Sequence, residues 1–244
     1  MHEQIGAHPS WTIPVLGAVH SDTLIMTWIV MALSLVFFAW IGNSYQTHRV
    51  SKLQAAIESI VNALSDLALS TLGPAGVIFV PVFLSFFFLI FFMNQIGFFP
   101  LKALGLPFGG SPTADLNTTA AFALIVFVLI QVVAIRRHGI GYYKHLAQPF
   151  AALAPINLIE ELARPLTLAL RLFFNIFVGE ILFFVVGVII TSQVKIGSFD
   201  LSLAAAFLPI FVQLLNFAIG SLQAFIFMLI SVVYLSFAVA EESH

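Results

Sequence analysis

The sequence predicts an all-α integral membrane protein. Three observations carry that prediction. Of the 244 residues 61% are hydrophobic, only 8% are charged, and the mean hydropathy is +1.08. Globular chains average about 25% charged and about 45–50% apolar residues, so a soluble domain of this size would lack the charges to cover its surface. Ordinary cytosolic enzymes and disordered or fibrous classes are excluded. Phe supplies 27 of the aromatic residues against 3 Trp and 4 Tyr, a balance suited to lipid and helix packing. The absence of Cys excludes disulfides, thiolate zinc sites and cysteine nucleophiles. A formal net charge of −2 and a pI near 6.4 argue against nucleic acid as a partner.

A spanning helix needs about 20 apolar residues to cross about 30 Å of hydrocarbon. Residues 1–21 are mixed, with no Lys or Arg ahead of an apolar run, so no signal peptide is expected there and they form an outer N-terminal segment. The first span runs roughly from Asp22 to Trp40. Residues 51–72 follow, where Leu53, Ile57, Ile60, Val61, Leu64 and Leu67 recur at helical spacing with Lys52, Glu58, Asn62 and Asp66 between them. This pattern predicts an amphipathic helix on the cytoplasmic face, an anchor or spacer, opened by a capping box of Ser51 and Gln54. The second span runs roughly from Pro74 to Phe99, and a Gly/Pro-rich outer loop covers Pro100 to Pro112. The third starts after Asn117 and stops at the turn Arg136-Arg137-His138-Gly139. Two longer regions, about Pro155 to Ile190 and Leu203 to Val239, complete about five spans in a single membrane domain, 1–244.

Loop charges set the orientation. Arg49, Lys52, Arg136, Arg137 and Lys144 follow the first and third spans, and only Lys102 and Lys195 follow the second and fourth. The N-terminus is therefore expected outside and the tail Glu241-Glu242-Ser243-His244 in the cytoplasm. No internal repeat is visible, which speaks against an inverted-repeat transporter.

The last two regions are too long to stand upright. About 36 helical residues extend about 54 Å, so 151–244 is predicted to form a steeply tilted or bent hairpin, with Pro165 as a possible bend. These regions are also too polar for simple anchors. The fourth holds Asn157, Glu160, Glu161, Arg164, Thr167, Arg171, Asn175 and Glu180. At about 100° per residue, Asn157, Glu160, Arg164 and Asn175 fall within about 40° of Arg171, and Glu180 lies about 180° away. In the fifth region Asn216 and Gln223 are seven apart and share a face, flanking Gly220.

Arg171 sits among Leu168, Ala169, Leu170, Leu172, Phe173 and Phe174. A charge at mid-membrane costs at least about 2.5–3.5 kcal/mol, and arginine cannot escape by losing its proton. It must face water or an anion. One reading is a structural ion pair with Glu160 or Glu180. Glu160 is three turns away, however, and Glu180 is on the opposite face. The other reading is a carboxylate on another chain, which would carry an exchangeable proton: released beside Arg171, retained in lipid.

The run Arg164-Pro165-Leu166-Thr167-Leu168-Ala169-Leu170-Arg171-Leu172-Phe173-Phe174-Asn175-Ile176-Phe177-Val178-Gly179-Glu180 resembles the signature of subunit a of F-type ATP synthases. Ser221-Leu222-Gln223-Ala224-Phe225-Ile226-Phe227 resembles the family's second signature, and Pro112-Thr113-Ala114-Asp115-Leu116-Asn117 a third. The three stand in the family's order, and the likeness covers nearly the whole chain. The resemblance implies an ion-translocating stator subunit beside a rotating ring of c subunits, held by a peripheral stalk of b subunits. It implies that Arg171 matches the essential arginine between two aqueous half-channels, Glu180 an acidic position of the outer one, and Gln223 and Asn175 the family's polar residues near the arginine. The chain departs from the family where Phe174 replaces a usual Gly and Val178 a usual Ala. Asn216 stands where some members carry a His, and Glu180 where mitochondrial members carry one, which leans bacterial.

If the fourth span runs outward, Asn157, Glu160, Arg164 and Thr167 lie inward of Arg171 as inner half-channel candidates. Glu180, Asn216, Asp115 and Asn117 lie outward. Several side residues also have plainer readings: Asn175 and Gln223 as interhelical bonds, Glu161 with Arg164 as an i,i+3 pair, Asp115 as a helix cap, and His48, His138 and His145 as interfacial residues. No catalytic residue, metal site or cofactor is expected. No Gly-x4-Gly-Lys-Ser/Thr stretch exists, so no nucleotide is expected to bind this chain. The rival readings are a self-contained secondary transporter, with Arg171 binding an anionic substrate, and a membrane scaffold.

Overall fold

The structure is a computed structural model that describes residues 10–13, 17–46, 50–97, 99, 109–139, 141–143, 150–191, 195–196 and 199–239. His48, Arg49, Lys102, Lys144, His145, the 100–108 part of the Gly/Pro-rich loop and the 241–244 tail lie outside the described residues.

The helices are α1 (Ser21–Asn43), α2 (Lys52–Leu72), α3 (Val80–Ile96), α4 (Leu116–His138), α5 (Ala154–Thr191) and α6 (Leu201–Val239). Among the described residues 6 helical segments are long and apolar enough to cross a membrane, the third counted over Gly76–Ile96, and α2 is the least apolar of them. The chain is an integral, all-α membrane protein. Two short antiparallel ribbons sit outside the helices: β1 (Ser10–Ile13) with β2 (Gly17–His20), and β3 (Lys195–Ile196) with β4 (Phe199–Asp200).

The helix ends follow local chemistry. Ser51 Oγ accepts the Gln54 N–H at 3.1 Å and caps α2. The second half of the predicted capping box is used differently. The Gln54 side chain bonds the backbone of Gln46 and donates to Glu58 at 2.9 Å, tying the approach to α2 instead of closing on Ser51. The apolar face of α2 is buried at Leu64, Ala68 and Leu72, while Leu53 and Ile60 on the same face stay exposed. Gly73, at φ +67°, and Gly139, at φ +66°, follow the ends of α2 and α4 in the left-handed region that glycine tolerates. Pro165 and Pro209 lie within the unbroken helices α5 and α6. At 38 and 39 residues these helices are about 57 and 58 Å long, nearly twice the hydrocarbon thickness.

The chain divides into two compact units. Unit 1 comprises residues 1–34, 89–118 and 172–223, and unit 2 comprises 35–88, 119–171 and 224–244. They differ in chemistry. Unit 2 has an apolar core that includes Phe83, Phe122, Val126, Leu168, Phe227 and Leu235. The Phe86 ring meets those of Phe122 and Phe227 edge-on within it. Unit 1 buries a row of polar groups alongside Met26, Ile90, Met93 and Leu172: Asn94, Ser111, Thr113, Asp115 and Gln223. Burying so many polar groups in a membrane chain requires that they bond one another or water.

Candidate functional site

Two of these polar groups, Asn94 and Ser111, border a cavity of about 780 Å³ in unit 1. Asn94 from α3, Gly110 and Ser111 from the loop before α4, Asn175 and Glu180 from α5, and Gln213 and Asn216 from α6 line it, with an apolar wall that includes Pro209, Leu214 and Phe217. Regular helical spacing sets Asn175 and Glu180 about 140° apart, yet both border this one cavity. The wall therefore combines amide and carboxylate groups with hydrocarbon, and among the described residues lining it there is no Lys or Arg.

Close helix approach builds the cavity wall. The Asn216 Nδ2 donates to Gly179 O at 3.3 Å, and a Cβ on Gly179 would stand 2.5 Å from Asn216 Oδ1. Likewise the Asn94 Nδ2 donates to Gly220 O at 2.8 Å, where an added Cβ would lie 3.1 Å from Asn94 Cβ. Gly179→Ala is therefore expected to lower complex stability by about 1–3 kcal/mol, the usual result of overpacking. A thermal shift of the purified complex checks this, and an unchanged midpoint contradicts the contact. The Asn175 Nδ2 donates to Gln223 Oε1 at 2.7 Å, linking α5 to α6 as the plainer reading of that pair expects. Gln223 Nε2 is buried and makes no hydrogen bond among the described residues.

Asp115 and Asn117 behave differently from the cavity residues. Asp115 Oδ1 accepts the Asn117 N–H at 2.8 Å and Nδ2 at 3.1 Å, capping α4. Asp115 Oδ2 meets His20 Nδ1 at 2.6 Å, which fastens β2 to the start of α4. Burial by itself raises the Asp115 carboxyl. The hydrogen bonds from His20 and the Asn117 N–H, with the His20 charge, outweigh it and hold the carboxyl below its ordinary 3.8. A depressed acid stabilises the fold above its ordinary value and loses that contribution as pH falls through the depressed one. Asp115→Asn is expected to speed amide exchange in β2 about tenfold at neutral pH and to flatten its dependence on acid below pH 3.8. Exchange that matches the parent at every pH contradicts this.

In unit 2, two of the residues expected on the inner side, Glu160 and Arg164, form a charge cluster with Glu161. Arg164 pairs with Glu161 at 3.2 Å and Glu160 at 3.6 Å, and its guanidinium lies 5.5 Å from the centre of the Tyr234 ring. The residue that sequence reasoning left off the candidate path is Glu161. It is the buried acid of the pair, and Gln131 Nε2 donates to it at 2.8 Å while the Tyr143 hydroxyl donates to Gln131 Oε1 at 3.2 Å. The Thr167 hydroxyl returns to the carbonyls of Ala163 and Arg164, both at 2.9 Å. Asn157 is half-buried on the first turns of α5.

Arg171 is unlike Arg164. It is exposed on α5, between the buried Ala169 and Leu172. Glu160, offered above as its structural partner, is taken by Arg164. Among the described residues no carboxylate lies within ion-pairing distance of Arg171. A guanidinium on so apolar a helix thus finds no counter-ion among the described residues of its own chain.

Residues 24–236 match the family profile described as ATP synthase A chain. The chain is 40% identical to the ATP synthase subunit a of Desulforamulus reducens over 250 residues, spanning 96% of this chain and 90% of that protein. It is 32% identical to the ATP synthase subunit a of Gloeobacter violaceus over 242 residues (98% and 92% of the two chains). It is also 31% identical to the chloroplastic ATP synthase subunit a of Oedogonium cardiacum over 244 residues (98% and 90%).

Proposed function

The chain belongs to the family of ATP synthase subunit a, and on that premise we propose that it conducts protons or sodium ions through two offset half-channels beside a rotating ring of c subunits. Family membership gives it a place in the ion-translocating sector of the complex. The observation that carries the finer reading is the exposed Arg171, which pairs with no acid among the described residues of its own chain. A permanent cation on a lipid-depth helix requires an anion, and a carboxylate carried past it by another subunit supplies one.

The mechanism follows from charge. An ion entering from outside reaches Glu180 through the cavity lined by Asn175, Gln213 and Asn216. It passes to a ring carboxylate, which then turns into lipid in its neutral form. Approaching Arg171 from the other side, the ring acid is driven to release its ion toward the inner path, where Asn157, Glu160, Arg164 and Thr167 are the candidates. A cation moving straight past Arg171 is repelled by the guanidinium, so the ion must travel with the ring. Each charge moved through 100 mV supplies about 2.3 kcal/mol, so several are needed per ATP. The nucleotide chemistry, the peripheral stalk of b subunits and the ring acid all lie on other chains. In this reading the chain is a single membrane domain in a bacterial plasma membrane, with its N-terminus outside and its C-terminus cytoplasmic. The rival transporter needs a cationic cavity for its anionic substrate, whereas the cavity observed here is lined by a carboxylate and amides.

The chain has no cysteine, so single cysteines report proximity cleanly. Val178, about 20° from Arg171 by helical spacing, is 56% exposed. A cysteine placed there is expected to cross-link to a cysteine beside the ring carboxylate, and one at Phe184, on the far side of α5, is not. Equal yields at both positions contradict the proposed interface.

A further inference from the structure

Glu180 receives a backbone donor. The Ser111 N–H reaches its Oε1 at 3.0 Å. A backbone N–H cannot rotate aside as a side chain can, so its aim depends wholly on what fixes the loop. Several features fix residues 110–115. Gly110 stands at φ +93°, and a Cβ there would lie 3.5 Å from Glu180 Oε1. Gly97 lets the end of α3 approach, since a Cβ there would lie 3.0 Å from Ser111 Cβ and 3.1 Å from its N. The Ser111 hydroxyl reaches Met93 O at 2.8 Å, and the Thr113 hydroxyl reaches Asn94 Oδ1 at 2.6 Å. Thr113 is 0% exposed, so water does not replace these bonds.

The two hydroxyls also lie 2.7 Å from each other. Each carries one hydrogen, so two hydrogens serve three short contacts. The Asn94 amide cannot supply a third by turning over, because its Nδ2 already donates to Gly220 O at 2.8 Å and that carbonyl needs a donor. If Ser111 donated to Met93 O while Thr113 donated to Asn94, the two hydroxyl oxygens would face each other at 2.7 Å with no hydrogen between them, so two concerted orientations are favoured. In one, Ser111 donates to Thr113 and Thr113 to Asn94. In the other, Thr113 donates to Ser111 and Ser111 to Met93 O. Either orientation makes two bonds and leaves the loop tied to α3. The N–H on Glu180 thus keeps its place while the nearby dipoles reverse, a property suited to an acid that alternates between charge states.

The geometry points to Ser111, Thr113 and Asn94 as positioning residues that hold a fixed donor on Glu180. This rests on the reading of Glu180 as an ion carrier. The test uses the assembled ATP synthase in membrane vesicles, with Thr113→Val, Thr113→Ser and Glu180→Gln compared for ATP-driven proton pumping across a pH series. Thr113→Val keeps shape and removes the hydroxyl. It is expected to lower the pumping rate roughly 3–10-fold, the effect of one lost hydrogen bond, and to shift the pH of half-maximal pumping. Thr113→Ser is expected to restore both to near the parent. A Thr113→Val complex with the parental rate and pH profile overturns the inference. If Glu180→Gln itself pumps normally, the carrier role falls, and the positioning role with it. If Glu180→Gln is slow while Thr113→Val is normal, the positioning role alone falls. Should Thr113→Val not assemble, Gly110→Ala displaces the same N–H without removing a hydroxyl and is judged by the same rate and pH profile.

Discussion

Arg171→Ala is expected to abolish ATP synthesis driven by an ion gradient, by roughly two orders of magnitude or more, the scale seen when a fixed charge-stabilising group is removed. On the proposed mechanism two functions would end together. Without the guanidinium, the ring carboxylate would have no fixed cation to make it release its ion. The barrier between the two proposed half-channels would also lose its charge, and ions would leak without turning the ring. Arg171→Lys keeps a charge but loses the planar fork and hydrates more strongly, so it is expected to block leak better than it restores synthesis. Synthesis rate and passive conductance, measured on the same vesicles, separate the two functions. Near-normal synthesis in Arg171→Ala contradicts the role assigned here and favours the scaffold reading.

Glu180→Gln is the second large effect. The amide fills the same space and still accepts the Ser111 N–H, so the cavity and assembly are expected to survive. What disappears is the exchangeable proton. Positioned proton transfer is worth about 10²–10⁴-fold, so pumping is expected to fall by about a hundredfold. Initial pumping rates at saturating ATP check this, and an unchanged rate removes Glu180 from the path. Asn216→Asp offers a contrast. It adds an acid on the wall beside Gly179, and part of the lost rate is expected to return when it is combined with Glu180→Gln.

Much of this was legible in the sequence because membrane helices advertise themselves by length and composition. The helices, the long α5 and α6, and Arg171 as the residue needing explanation could all be read from runs of apolar residues and the polar exceptions within them. The pairing of Asn175 with Gln223 also fits the plainer reading taken from residue type alone. What could not be read was which polar residue meets which across helices. Glu160 and Glu161 are neighbours, yet one is exposed and the other is buried against Gln131. Periodicity within one helix says nothing of the side chain that α4 brings to it. Asn94 was invisible for the same reason, as a lone amide in the apolar run of α3 whose value lies in Thr113 and Gly220 on other segments. Thr113 stood inside a quoted motif, but only the loop geometry shows its hydroxyl turned inward. His20 was one of several scattered histidines until the structure set it on Asp115.

The most direct measurement is the distance, in a map of the assembled complex, between the Arg171 guanidinium and the nearest carboxylate. This acid is expected to belong to a ring subunit and to approach to about 4 Å, the range of an ion pair, in at least one rotary position. A guanidinium held by an acid of its own chain and turned away from the ring in every position contradicts it.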